Sequence, residues 1–232
     1  MVWPAQAFKR ATVKRHISII KKLAYKAKLL TTMTGRKKIA LSHLWVVLVS
    51  YLVGSIPVSY LVARYWKGVD IRIMGSGNVG TTNVWRNAGP VAGMIALAGD
   101  LGKGVLAVLL AKHFSGPLLV ALSGMAALAG HSWPVFLGFK GGKLVATGVG
   151  VIAAVSLPVG ALAAVIWLAA VGITRYVSVG SLLAVSSIPL LMLAFHLERP
   201  YLALGVFVTI FAVYKHVPNI KRLLAGTEPK VK

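Results

Sequence analysis

Three short stretches carry most of the side chains able to do chemistry. Residues 75–86 hold three glycines, five small polar side chains and one arginine in twelve positions. Backbone that wraps an anion needs this mixture, because glycine lets successive N–H groups point inward and short polar side chains add donors. Ser76, Asn78, Thr82 and Asn83 are candidate neutral donors, and Arg86 offers a fork that binds two oxygens at once. The second stretch, residues 130–143, contains His131 and ends in Lys140-Gly141-Gly142-Lys143. A Gly-Gly turn between two ammonium groups, leading into a helix, is a phosphate cradle by type, although Gly-Gly beside Lys also occurs in ordinary turns. In the third, residues 215–228, His216 and Asn219 sit at helical spacing beside Lys221 and Arg222, and Glu228 closes the run. Alone it reads as a juxtamembrane basic helix. His131 and His216 are the candidate general bases, and no nucleophile–base–carboxylate triad can be assembled from the sequence.

The elements that hold these stretches must be membrane helices. Hydrophobic residues make up 57% of the 232-residue chain, and the mean hydropathy of +0.79 is too apolar for a soluble domain. Cysteine is absent, which removes disulfides and thiolate metal sites. With 26 Lys and Arg against four acids, Asp70, Asp100, Glu198 and Glu228, a carboxylate-dyad hydrolase or a multi-carboxylate metal centre has little to draw on, and anionic substrates suit the chain better than cationic ones. The basic charge comes without a nucleic-acid reading motif, so nucleic acid is not an expected partner, whereas membrane lipid is.

The apolar pattern predicts an all-α integral membrane protein with about seven transmembrane helices, forming one polytopic domain over residues 39–232. The first span covers about residues 39–64, with Gly54, Ser55, Pro57 and Ser59 available for close packing or a kink. The second, about residues 91–114, contains Asp100 and Lys103, which share a helix face and form either a functional pair or a self-satisfied structural one. A short third span covers residues 117–130. The apolar run 144–173 is too long for one span and should break at Ser156-Leu157-Pro158. Two more spans follow, at residues 179–197 and 201–214.

Seven spans bring the three polar stretches to one side. Twelve Lys and Arg fall on that side, and only Lys112 and Arg199 on the other, so the positive-inside rule predicts that the three stretches face the cytoplasm. An odd span count then puts the basic N-terminus on the opposite face. Residues 1–38 hold eleven basic residues and no acid. They read as an interfacial or disordered extension, as a targeting segment, or as sequence upstream of a true start at Met33.

Taken in order, the motifs resemble those of the bacterial acyl-phosphate:glycerol-3-phosphate acyltransferases, the PlsY family. They are GSIP (54–57), DIR-x-x-GSGN-x-G-x-TN-x-x-R (70–86), D-L-x-KG (100–104), GH-x-x-PVF-x-x-FKGGK-x-VAT (130–147), TRYVS (174–178) and H-x-x-NI-x-RL-x-x-GTE (216–228). The resemblance implies an enzyme of the bacterial inner membrane, with no metal and no cofactor, that moves a fatty acyl group from acyl phosphate to the 1-hydroxyl of sn-glycerol 3-phosphate. The product is lysophosphatidic acid, and this is the first acylation of phospholipid synthesis. Enzymes that make acyl phosphate or acylate lysophosphatidate are then only pathway neighbours. By motif match, Ser76 and Arg86 fall on the family's essential serine and arginine and His216 and Asn219 on its third-motif positions, and these four are the expected catalytic residues. Gly141, Gly142 and Lys143 fall on the glycerol-phosphate motif, with Lys140, His131, Lys103, Asn78, Thr82 and Asn83 as further substrate contacts. Asp70, Asp100 and Glu228 are expected to hold structure. Leu144 stands where the family has glycine, and if that position needs positive φ the cradle should be distorted. Val217-Pro218 also departs from the family pattern.

The chemistry suits these residues. An acyl phosphate is already activated, so the protein has only to hold two anions together, orient a hydroxyl and stabilise an oxyanion. Direct transfer without an acyl-enzyme follows. The alternatives are an organic-phosphate transporter, against which the chain shows no internal repeat, and a catalytically silent lipid-binding homologue.

Overall fold

The structure is a computed structural model describing residues 43–231; the basic N-terminal extension lies outside the described residues. Residues 45–231 belong to one compact unit, and every regular element in the described residues is helical. In chain order these are α1 (Leu44–Ser55), α2 (Val58–Lys67), α3 (Thr81–Ala88), α4 (Pro90–Phe114), α5 (Pro117–Ser132), α6 (Val145–Val155), α7 (Leu157–Thr174), α8 (Val177–Ala194), α9 (Arg199–Lys215) and α10 (Val217–Leu224), with one 3₁₀ turn at Val135–Leu137.

Over the described residues the expected apolar segments are helices; residues 39–42, the start of the first expected span, lie outside them. The first span is α1 and α2 together, interrupted at Ile56-Pro57, and the run 144–173 divides into α6 and α7 at Ser156. Proline near the start of α4, α5, α7, α9 and α10 marks where each helix begins. Among the described residues, five helical stretches are long and apolar enough to cross a membrane, and six when α9 and α10, bent by 55°, are taken as one span. At 11 residues α6 is shorter, about 16 Å against a hydrocarbon core of about 30 Å. The chain is a multi-pass membrane protein, with Leu48, Leu106, Leu168, Leu190 and Ile210 facing outward as lipid-facing side chains do.

The most enclosed span is the one containing α5, which packs against α4, α6 and α9. Small residues let the backbones close up. A Cβ on Gly54 would collide with the Ala127 carbonyl and one on Gly130 with Tyr51, which locks α1 to α5. Gly104 and Gly150 bring α4 and α6 together in the same way. The main core gathers Val46, Leu128, Leu144, Val151, Met192, Leu204 and Val208. A second core, with Ile71, Val79, Val84, Ala88, Ala92 and Ala96, lies under the first polar stretch.

One element differs from expectation. The first polar stretch is a loop only as far as Gly80; from Thr81 it is helix α3, so Arg86 sits on a helix. Val84 and Ala88, four apart, bury one face in the second core, and that burial outweighs the weak helix propensity of Thr and Asn.

Leu144 does have positive φ, +57°, at the N-terminal boundary of α6. The turn is nevertheless formed, because the Leu144 side chain is fully buried in the main core and offsets a backbone cost of about 1–2 kcal/mol. Both Leu144→Ala and Leu144→Gly should lose the packing, but only glycine removes the strain. Unfolding in detergent should therefore show Leu144→Gly more stable than Leu144→Ala by about 1 kcal/mol; the reverse order would contradict this account.

Candidate active site

The three polar stretches meet in one cleft at the end of the bundle where α2, α5, α7 and α9 finish and α3, α6, α8 and α10 begin. It holds about 700 Å³ of space, counting the open solvent at its mouth. Its lining includes Ser76, Asn78, Thr81, Thr82, Asn83 and Arg86 from the first stretch, His131 and Lys143 from the second, and His216, Asn219, Arg222 and Glu228 from the third. The first turns of three helices also border it, through Thr81 and Thr82 of α3, Val145 and Ala146 of α6, and Val177 and Ser178 of α8. Each first turn carries N–H groups with no intrahelical acceptor and the positive end of the helix dipole, so the cleft is built for anions.

The loop before α3 is organised by Asn83. Its buried amide donates to the carbonyls of Ile71 (2.9 Å), Met74 (3.0 Å) and Asn78 (3.1 Å), and its Oδ1 accepts the Ser76 N–H (3.2 Å). Asn83 therefore holds the loop in shape, although it was expected as a substrate donor. Gly75 and Gly77 take positive φ, +56° and +67°, in the turn that presents Ser76.

Lys143 donates to Asn219 Oδ1, Asn219 donates to Glu228 Oε1 (2.6 Å), and Arg222 pairs with Glu228 Oε2 (2.7 Å). Burial would push the Glu228 carboxyl up, but the Asn219 amide and the Arg222 guanidinium donate to it and bring it below the usual carboxylate range. Arg86 lies at the mouth and donates to the Pro229 carbonyl (3.3 Å). His216 is buried, with Nδ1 2.7 Å from the Ala212 carbonyl. A carbonyl can only accept, so Nδ1 carries the proton, and Nε2 of the neutral ring is an acceptor.

Other expected residues lie elsewhere. Lys140 is exposed and is not among the residues lining the cleft. Lys103 points into a separate small cavity, where it pairs with Asp100 (2.9 Å) and donates to the Ile56 carbonyl (2.9 Å). Both of its interactions are with the protein, and Lys103, expected as a substrate contact, is not among the residues lining the cleft. Gly141 and Gly142 form the turn behind Lys143, their N–H groups bound to the carbonyls of Ser132 (3.2 Å) and His131 (3.1 Å). Asp70 pairs with Arg72 (2.6 Å) near the surface, which holds its carboxyl down at about 2. Sequence reasoning missed Thr81, Ser178, Ser181 and Arg222 as lining residues. Ser178 belongs to a recognisable motif, but nothing in the spacing shows that the start of α8 reaches the site.

A helical membrane bundle with a polar cleft at the shared end of its helices, lined by cations and helix N-termini, defines a class: integral membrane proteins acting on phosphate-bearing molecules. Residues 44–226 match the glycerol-3-phosphate acyltransferase family, and the chain belongs to that family. The glycerol-3-phosphate acyltransferase of Desulforamulus reducens is 50% identical over 187 residues, covering 80% of this chain and 94% of that one. Its counterpart from Desulforudis audaxviator is 49% identical over 193 residues, covering 82% and 96%. Crystal structures of PlsY, an integral membrane glycerol 3-phosphate acyltransferase, align with TM-scores of 0.80 for the glycerol 3-phosphate form and 0.78 for the lysophosphatidic acid form. Each is 38% identical, covering 82% of this chain and 96% of that one.

Lys143 supplies a pH test. Burial is the main force lowering its ammonium to about 8, helped by Arg222, Lys215 and Arg86 and opposed by Glu228. The cleft thus loses one positive charge as pH rises through about 8. Sulfate, which does not titrate here, should bind up to about tenfold more weakly at pH 9 than at pH 7 by calorimetry, and Lys143→Arg should flatten that dependence. Equal pH dependence in both proteins would contradict it.

Proposed function

We propose that this acyltransferase takes its acyl group from acyl phosphate and delivers it directly to the 1-hydroxyl of sn-glycerol 3-phosphate. The observation that carries the reading is the convergence of Arg86, Lys143, Arg222 and three helix N-termini on one cleft, which suits two phosphate-bearing substrates held side by side. The likeness to PlsY crystallised with glycerol 3-phosphate and with lysophosphatidic acid supports the acceptor and the product.

In this reading the glycerol hydroxyl oxygen attacks the acyl carbonyl carbon. The carbon–oxygen bond to phosphate breaks, phosphate leaves with the electron pair, and the hydroxyl proton ends on a phosphate oxygen. The products are lysophosphatidic acid and hydrogen phosphate. Neutral His216 orients the hydroxyl through Nε2. Arg86 and Lys143 neutralise the phosphates, and Ser76, Asn78 and Thr82 with the first-turn N–H groups stabilise the tetrahedral oxyanion. Asn219 and Glu228 hold Lys143 and Arg222 in place. No acyl-enzyme forms, because activated acyl phosphate needs no covalent relay. The catalytic end faces the cytoplasm of a bacterial inner membrane, consistent with its excess of Lys and Arg.

Purified protein in detergent should convert acyl phosphate and glycerol 3-phosphate to lysophosphatidic acid and phosphate in equal amounts, and should be inactive with acyl-CoA. No product in detergent would favour a transporter or a silent homologue, and turnover with acyl-CoA would remove the donor assignment. Arg86→Ala and Ser76→Ala should each lower kcat/KM by about 100-fold or more while the protein still inserts.

A further inference from the structure

Behind the cleft lies a buried polar cluster that the chemistry above does not use. Asp100 on α4 accepts the Ser59 hydroxyl of α2 on Oδ2 (2.6 Å) and pairs with Lys103 through Oδ1 (2.9 Å). Lys103 reaches back to the Ile56 carbonyl at the break between α1 and α2. The same Asp100 Oδ1 lies 3.6 Å from Nδ1 of His131 on α5, an electrostatic contact rather than a hydrogen bond. His131 Nδ1 is 3.1 Å from the hydroxyl of Thr147, in the first turn of α6. Asp100 and His131 line both the small cavity and the cleft, so they form the partition between the two.

An ion pair buried among membrane helices is costly unless it does something, and here the geometry leads from it to the site. The His131 ring packs over Gly142 so closely that a Cβ there would collide with Nε2. The His131 carbonyl accepts the Gly142 N–H. The ring thus touches the Gly-Gly turn on one side and the start of α6 on the other, and Lys143 lies between these contacts in the chain. A carboxylate beside Nδ1 favours the tautomer with its proton there, which donates to Thr147 and fixes the ring plane.

We propose that Asp100 is a positioning residue for acyl transfer: acting through His131, it sets the Gly141–Gly142 turn and the first turn of α6, and so places Lys143 and the α6 N–H groups against the bound phosphate. Lys103 and Ser59 hold the carboxylate in line. The inference rests on the reading of the cleft as the glycerol 3-phosphate site, and wild-type turnover in the same assay tests that reading separately.

The test is Asp100→Asn, which keeps size and shape. It should raise KM for glycerol 3-phosphate about tenfold or more and change kcat much less, as expected when a binding group is misplaced. A double variant, Asp100→Asn with Lys103→Met, removes the unpaired buried ammonium and keeps the fold testable; its KM should stay high. In a Lys143→Ala background Asp100→Asn should raise KM by a smaller factor than in the wild type, because one of the groups it positions is already gone. Wild-type KM in either Asp100 variant, or full multiplicative effects of Asp100→Asn and Lys143→Ala, would overturn the proposal.

Discussion

Positive charge without matching negative charge is the constraint on which this structure depends. Arg86, Lys143 and Arg222 share one cleft, with Lys215 close enough to depress the Lys143 ammonium. The two carboxylates at the cleft are both committed, Glu228 to Asn219 and Arg222 and Asp100 to Ser59 and Lys103. Helix N-termini add further positive potential. Such a site is completed by an anion, and the bundle's task is to hold its cations in place until one arrives.

The holding is done by small residues and by fixed amides. Gly54 and Gly130 bring α1 against α5, Gly104 and Gly150 bring α4 against α6, and these contacts bring together the ends of helices distant in sequence. Asn83 ties the first loop to itself, and Asn219 ties the second stretch to the tail. Where glycine would relieve strain, at residue 144, this chain has a leucine and offsets the backbone cost with core packing. The departure from the family pattern thus leaves the turn intact.

Much of this was legible in the sequence, for physical reasons. Apolar length marks helices in lipid strongly, and the break at Ser156 follows from a run too long for one span. The polar stretches were legible because Gly, Ser, Asn and Arg at that density have few uses inside a membrane protein. The roles of individual side chains were less so. Lys103 and Lys143 are both lysines beside glycine, yet one is held by Asp100 and the Ile56 carbonyl and the other faces the cleft. Lys140, three residues before Lys143, turns to solvent. Helix α3 was hidden because its residues are poor helix formers and its stability comes from Val84 and Ala88 meeting a core built from distant segments. The nearness of Asp100 to His131 depends on two helices lying side by side, which no spacing in the chain records.

The central claim is that the cleft needs only to hold and polarise its substrates, with no covalent intermediate. Mixing the purified protein with acyl phosphate alone, and following phosphate release together with intact protein mass, tests it most directly. The account predicts no burst of phosphate and an unchanged mass until glycerol 3-phosphate is added. A burst of one phosphate per protein, accompanied by a mass increase equal to one acyl group, would contradict it.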